Sequence, residues 1–360
     1  MNRTVRVGII GCGGIANGKH MPSLAAIPNV EMVAFCDIIE ERAIAAAEKY
    51  GTPDAKVYTD YKDLLKDESI EVVHVLTPNR EHADITIDSL YAGKHVMCEK
   101  PMAKTAADAR RMCEAAKATG KKLTIGYQHR QKASSIYAKE YIETGALGDI
   151  YYANCLAIRR RGTPNWGVFL DEDAQGGGPI IDIATHSLDL TLYLMNNYEP
   201  AVVLGKTHKK LEHPEAGNIW GDSGVSTTPL EEAACAMIIM KNGATILLET
   251  SWALNTAEPV PEGSCILCGS RAGMMVEENT LKTNKIDLDR AVNATVNLNA
   301  GGVAFYSGSS STPAATEARR WIDAIINDTD PVVLPEQACV VSQILEAIYT
   351  SSKTGEAVYF

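Results

Sequence analysis

Three groups of residues in this chain have the types and spacing that chemistry needs. The first is Gly11-Cys12-Gly13-Gly14-Ile15-Ala16, which reads G-x-G-x-x-A. Gly11 allows a sharp turn, Gly13 lacks the Cβ that would hold a pyrophosphate off the backbone, and Ala16 lets helix and strand pack closely. Gly14 and Ile15 would open the helix, whose N–H groups carry partial positive charge. Asp37 follows Ala16 by 21 residues and closes a second apolar run. An acid there accepts both ribose hydroxyls and repels a 2′-phosphate, so the pattern predicts NAD rather than NADP. The plainer alternative is a glycine-rich turn with no ligand.

The second group is Glu99-Lys100-Pro101, directly after the apolar run 95–98. A lysine at the carboxyl end of a strand, held by a proline beside a glutamate, is a fixed cation facing a cofactor. Such a lysine can donate to a substrate hydroxyl and favour its ionisation. A surface lysine before a turn is the alternative. The third group is Asp182, His186 and Asp189, in a stretch opened by Gly176-Gly177-Gly178-Pro179. Spacings of four and three place them on one face of a helix over 179–195. That helix is otherwise apolar nearly all round, so the stripe needs buried partners or a wet cleft. Asp182 and His186 bonded to each other in the core would also satisfy it. Half a metal site would too, but the remaining ligands are missing, so no metal is expected.

Weaker candidates surround these. Thr77-Pro78-Asn79 with His82 places short polar side chains where a nicotinamide would lie, although the same residues suit an ordinary strand-to-helix turn. Tyr127-Gln128-His129-Arg130 follows the last strand of the first half. Arg159-Arg160-Arg161 could bind a carboxylate or phosphate, and Trp166 could wall a sugar site or simply pack. Cys265 and Cys268 form a lone C-x-x-C with apolar residues inside it, which reads as core.

The elements that must position these residues alternate through the first half. Strands are predicted at 5–10, 30–36, 57–58, 72–76, 95–98 and 123–126, with helices at 39–50, 61–66, 80–92 and 105–119. Such alternation means a parallel sheet covered on both faces, with ligands beyond the strands' carboxyl ends. The second half is mostly sheet. Strands at 232–240 and 244–251 flank Lys241-Asn242-Gly243, a hairpin signal. A long polar loop spans 211–230, a serine-rich tract spans 307–312, and helices follow at 314–327 and 335–352.

The chain has 360 residues, which suits two domains. Its net charge is −11 at pH 7, so it lacks the basic balance that nucleic-acid binding needs. No apolar stretch is long enough for a membrane helix. Nine cysteines sit mainly in apolar runs, and the first strand begins near Met1 with no room for a signal peptide. Both suggest a cytoplasmic protein with reduced thiols.

Taken together, the glycine motif, Asp37, Thr77–Asn79 with His82, Glu99-Lys100-Pro101 and Asp182-x-x-x-His186 resemble the Gfo/Idh/MocA family of dehydrogenases over essentially the whole chain. The resemblance implies an α/β fold, with an N-terminal Rossmann dinucleotide-binding domain at 1–128. It implies an α+β domain at 129–360 with a large, mostly antiparallel open sheet for substrate and oligomer contacts. The helix near 335–352 would return to the first domain. NAD would be held by Gly11, Gly13, Gly14, Ile15, Asp37, Thr77, Asn79, His82, Glu99, Lys100 and Gln128. Substrate would meet Lys100, His129, Arg160, Trp166, Asp182 and His186. By the same resemblance Lys100, Asp182 and His186 would be catalytic, the histidine taking the hydroxyl proton as hydride leaves the same carbon. The expected activity is NAD-dependent oxidation of a secondary hydroxyl on a sugar, glycoside or cyclitol, C3 of a hexoside being the leading case. The expected partner is a small carbohydrate, with no nucleic acid or membrane, in a homo-oligomer. Two other readings share these motifs: an NAD-dependent, redox-neutral glycoside hydrolase, and a catalytically silent NAD-binding regulator.

Overall fold

The computed structural model describes residues 3–211, 213, 217–221, 224–257, 262–277, 280–298 and 312–360. The serine-rich tract up to residue 311 and parts of the 211–230 loop lie outside the described residues. The chain forms two compact units, Met1–Gln128 with Ser311–Cys339 and His129–Ser310 with Val340–Phe360.

The first unit is built on strands β1 (Val5–Ile10), β2 (Val30–Cys36), β3 (Lys56–Tyr58), β4 (Val72–Val75), β5 (His95–Cys98) and β6 (Leu123–Ile125). They form one parallel sheet in the order β3-β2-β1-β4-β5-β6. The strand order reverses beside β1, so the crevice at a doubly wound switch point opens over the glycine turn. Strands this apolar need cover on both faces. The helices Glu40–Tyr50, His82–Tyr91 and Ala106–Thr119 belong to the same alternating pattern. Thr105 caps the last of these through its hydroxyl, which accepts from Asp108 N–H, and Gly120 ends it in the left-handed conformation.

One helix is assigned differently from the sequence reading. Pro313–Ile326 belongs to the first unit, where Ala318, Trp321, Ile322 and Ile325 join Val5, Val7, Met21, Leu24 and Met32 in one core. The helix expected at 314–327 is present, but a helix's own apolar stripe does not say which core it enters. The helix Pro335–Thr354 is divided between the units at Cys339 and Val340.

The second unit carries β7 (Ile150–Ile158), β8 (Pro200–His208), β9 (Ala233–Met240), β10 (Thr245–Ser251), β11 (Ser264–Gly269), β12 (Ala272–Val276), β13 (Leu281–Asp287), β14 (Arg290–Val296) and β15 (Val358–Tyr359). The order is β14-β13-β12-β11-β7-β10-β9-β8-β15. All pairs are antiparallel except β7 with β10. The β9–β10 hairpin turns at the predicted Asn-Gly. Cys265 lies buried within β11, as core. No described helix is long and apolar enough to cross a membrane.

If Pro313–Ile326 completes the first core, Trp321→Ala should destabilise the protein by about 3–5 kcal/mol. Urea unfolding measures this. A loss below about 1 kcal/mol would place the helix outside that core.

Candidate active site

The turn after β1 is shaped by what a side chain would meet there. Gly11 has φ +91°, and a Cβ on it would fall 2.7 Å from the Leu76 carbonyl. A Cβ on Gly13 or Gly14 would meet nothing within 4 Å, so the space above the turn is open. The first helical bond after the turn runs from Asn17 N–H to the Gly13 carbonyl at 3.1 Å. The helix then widens to π geometry over Ala16–His20. Asp37 Oδ2 accepts Cys12 N–H at 2.8 Å, and Oδ1 accepts Ile39 N–H at 2.9 Å. Asp37 therefore also fastens the glycine turn to the end of β2. Thr77 Oγ1 is buried and has no hydrogen-bond partner among the described residues. An open backbone cradle, a carboxylate at the second strand end and an orphaned hydroxyl fit a dinucleotide such as NAD. Asn79 is buried at the start of the short turn Asn79–Glu81.

Two predicted cofactor contacts do other work. His82 is buried, with Nδ1 2.8 Å from the Pro101 carbonyl and Nε2 2.9 Å from the Thr77 carbonyl. Burial holds this imidazole below its ordinary value, while the two carbonyl acceptors pull the other way by favouring protons on both ring nitrogens. His82 thus ties the Thr77 loop to the Lys100 loop, with neither nitrogen left for a nucleotide. Glu99 is likewise committed. Its Oε1 accepts from Lys19 Nζ at 2.6 Å and from His20 Nε2 at 2.7 Å, and its Oε2 accepts Lys100 N–H at 3.0 Å. A Cβ on Gly126 would strike this carboxylate at 2.8 Å, so the glycine makes its room.

Lys19 is the counter-ion of the group. It also pairs with Glu317 at 2.9 Å and donates to Gln128 Oε1 at 2.7 Å. Burial alone would raise the Glu99 carboxyl, but Lys19 and His20 reverse this and hold it well below the usual carboxylate range. Burial pulls the Lys19 ammonium down, and Glu317 with Glu99 more than restores it. Burial and Lys19 keep His20 below the ordinary imidazole value, and burial keeps His74 well below it. The protons can then be ordered. Neutral His20 donates from Nε2 to Glu99, so its Nδ1 must accept from His74 Nδ1 at 3.2 Å. That leaves His74 Nε2 bare, and it is a buried nitrogen without a hydrogen-bond partner among the described residues. Lys100 leaves β5 on this platform, and the Lys100–Pro101 peptide is cis.

In the second unit the predicted helix at 179–195 begins as a π turn, Ile180–Ala184, and continues as α-helix over Thr185–Met195. Its start is fixed by Glu231, a residue the sequence did not single out. The Glu231 carboxylate accepts N–H from Gly178 at 3.0 and 3.1 Å and the Tyr349 hydroxyl at 2.7 Å. A Cβ on Gly177 would fall 2.0 Å from Tyr349 Oη, and one on Gly178 would fall 2.6 Å from the Glu231 carbonyl. The glycines are there to admit this lock. The extra residue of the π turn shifts Asp182 relative to the plain four-residue spacing.

Each polar residue of the helix has a distinct setting. Asp189 receives Arg130 in a fork, Nε at 2.9 Å and Nη2 at 2.6 Å, with neither side chain exposed. Next to Arg130, His129 stacks on His186 with centroids 4.6 Å apart and planes at 25°. Asp182 Oδ2 accepts Trp252 Nε1–H at 2.9 Å and lies 3.7 Å from Arg159 Nη1. Of the three arginines, Arg159 therefore reaches the candidate site, whereas Arg160 is exposed. Trp166 is half-exposed. Among the described residues no group of three His, Cys, Asp or Glu side chains could hold a metal.

Residues 5–127 match the family described as "Oxidoreductase family, NAD-binding Rossmann fold", and residues 136–275 match the GFO/IDH/MocA C-terminal domain. The chain belongs to the Gfo/Idh/MocA oxidoreductases. Among relatives of this Gfo/Idh/MocA chain is a D-glucoside 3-dehydrogenase of Escherichia coli (strain K12), 34% identical over 98% of this chain and 97% of that one. An inositol 2-dehydrogenase of Salmonella typhimurium is 42% identical over 40% of this chain and 43% of its own. The fold is shared with a levoglucosan dehydrogenase solved with NADH and levoglucosan, at TM-score 0.84 and 22% identity over 99% of both chains.

Replacing Lys19 leaves Glu99 and Glu317 buried without their cation, so Lys19→Met should destabilise by about 3–5 kcal/mol at neutral pH. The sign with pH follows from the depressed folded value of Glu99. Its contribution is full above the unfolded carboxyl value of about 4.3 and is lost as pH falls through the folded value. The gap between variant and parent should therefore narrow on acidification. Denaturant unfolding at pH 7 and pH 4 reads both effects, and a gap that widens at low pH would contradict this charge assignment.

Proposed function

We propose that this protein is an NAD-dependent dehydrogenase acting on a secondary hydroxyl of a sugar, glycoside or cyclitol, with C3 of a hexoside as the leading case. The observation that carries the reading is the helix of the second unit. It holds Asp182 between Trp252 and Arg159, and holds His186 against His129 one turn further on. The relationship to a D-glucoside 3-dehydrogenase along almost the full chain supports a glycoside substrate and attack at C3.

Bound NAD supplies the hydride acceptor. Gly11, Gly13, Gly14 and Ile15 would carry its pyrophosphate, Asp37 its ribose, and Thr77, Asn79 and Gln128 its nicotinamide half. Lys100 donates to the reacting hydroxyl and favours its ionisation. His186 accepts the hydroxyl proton. Asp182 orients the imidazole and accepts from a neighbouring hydroxyl. His129, Arg160 and Trp166 complete the substrate contacts. Cysteines buried within apolar strands, such as Cys36, Cys98, Cys155 and Cys265, support a reducing, cytoplasmic setting. Exposed Tyr151, Leu204 and Met237 on the broad sheet support a homo-oligomer.

A positioned general base contributes about 10²–10⁴-fold. His186→Ala should lose that much turnover while NAD affinity stays within a few-fold; near-normal turnover would remove the histidine from this role. Asp37→Ala should weaken NAD, measured by titration calorimetry, and unchanged binding would contradict the reading of that strand end. The deciding experiment is mass spectrometry of glycosides, free sugars and inositols incubated with NAD. Loss of two hydrogens with NADH appearing is expected. Cleavage with water gained and no net NADH would establish a redox-neutral hydrolase instead.

A further inference from the structure

A group of aromatic side chains lies beside Asp182, and the mechanism above leaves most of it unused. The Arg159 guanidinium, 3.7 Å from Asp182, also sits 5.2 Å from the centroid of the Trp220 ring. Trp220 meets Trp166 edge to face, with centroids 4.9 Å apart and planes at 87°. Trp166 in turn meets Phe169 at 5.6 Å and 65°. A continuous line of contacts thus runs from Asp182 to two indoles that stay 40% and 48% exposed.

The local backbone is arranged to hold these rings. A Cβ on Gly162 would fall 2.8 Å from Arg159 Cδ and 3.4 Å from the Trp220 ring, so the glycine leaves room for the guanidinium to lie on the indole. Asn165 Nδ2 donates to the carbonyls of Trp220 at 2.8 Å and Gly221 at 3.0 Å. Asn218 donates to the Thr163 carbonyl at 3.1 Å and accepts Thr163 N–H at 3.0 Å. Ile219 N–H donates to the Arg161 carbonyl at 3.2 Å. The segment 161–165 leading to Trp166 is therefore bonded to the segment 218–221 that carries Trp220.

Rigid, half-exposed aromatic plates lose little entropy when an apolar ligand covers them, and the burial is favourable. Arg159 does not make the surface anion-selective, because Glu262 takes its guanidinium in a fork at 2.7 and 2.6 Å. The line is thus polar at Asp182 and apolar at the indoles. We propose that Trp166 and Trp220 form a subsite for the aglycone of a glycoside, an apolar and preferably aromatic group joined to the sugar whose hydroxyls face Asp182. This rests on the reading of Asp182 and His186 as the substrate site. It narrows the substrate class, because a free sugar or cyclitol would leave both plates uncovered.

The test compares 4-nitrophenyl and methyl glucosides of the same anomer, in the parent, Trp220→Ala, Trp166→Leu and Trp166→Phe. The ratio of kcat/KM, aryl over methyl, should exceed one in the parent. It should fall about two- to tenfold in Trp220→Ala and Trp166→Leu, the range for a single aromatic contact. Trp166→Phe should keep most of it. A ratio unchanged in both truncations overturns the subsite, and turnover of both glucosides would still uphold the dehydrogenase. Titration of 4-nitrophenyl glucoside into each protein reads the subsite without turnover. Binding that weakens in the truncations, with no NADH from either glucoside, would uphold the subsite and sink the dehydrogenase reading. If Trp220→Ala fails to fold by circular dichroism, Trp166→Leu at the exposed position decides alone.

Discussion

Arg130 and Asp189 meet where no solvent reaches either side chain. Taking two charges out of water costs several kcal/mol per ion, and only near-ideal geometry offsets it. Here the guanidinium offers two parallel donors, and the ring of Tyr193 lies 4.6 Å from its central carbon. Burial lowers the guanidinium, but Asp189 more than restores it. Such a pair has one workable arrangement, which makes it a register pin. Asp189 is three residues from His186, and Arg130 is next to His129. Fixing the ion pair therefore fixes the rotation of the helix and brings the two imidazoles together. The geometry of the candidate base follows from a contact that itself does no chemistry.

The first unit uses the same device with different residues. Lys100 must be held in place yet remain accessible, and the fixed charge is its neighbour, Glu99. That carboxylate is surrounded by Lys19, His20 and the backbone of Lys100 itself, and His74 completes the hydrogen-bonded row beneath. In both units a proposed site residue stands next in sequence, or one turn away, from a buried ion.

What was legible in the sequence divides along the same line. The glycine turn, Asp37, Glu99-Lys100-Pro101 and the polar stripe on an apolar helix are local patterns, and period and spacing reveal local patterns. The parallel sheet was readable because βα alternation admits few topologies. The partners were not readable. Lys19 meets Glu99 80 residues away, Arg130 meets Asp189 59 away, and Tyr349 meets Glu231 118 away. A lysine or glutamate at those positions looks like any surface charge until the fold closes around it. The triple glycine was visible, but its reason lies in two side chains far along the chain. The helix expected at 314–327 is present, but the unit it joins was not legible, since a helix's sequence does not name the core that receives it. His82 and Glu99 were found for their types, and only geometry shows that their polar atoms are already committed.

The division of labour between Asp182 and His186 can be argued from those commitments. Asp182 Oδ2 accepts from the Trp252 indole and lies near the Arg159 guanidinium, two groups that keep their protons at any working pH. A carboxylate held by donors of that kind is a fixed acceptor, suited to orienting a ring or a hydroxyl. Taking a proton in each turnover would weaken both contacts and then require their restoration. His186 also stacks against His129, and a stacked ring keeps that contact on gain or loss of a proton in the ring plane. Asp182 sits within the π turn and His186 on the α-helix that follows it. Asp182 answers to Trp252 and Arg159, while the α-helix beyond the turn answers to Arg130.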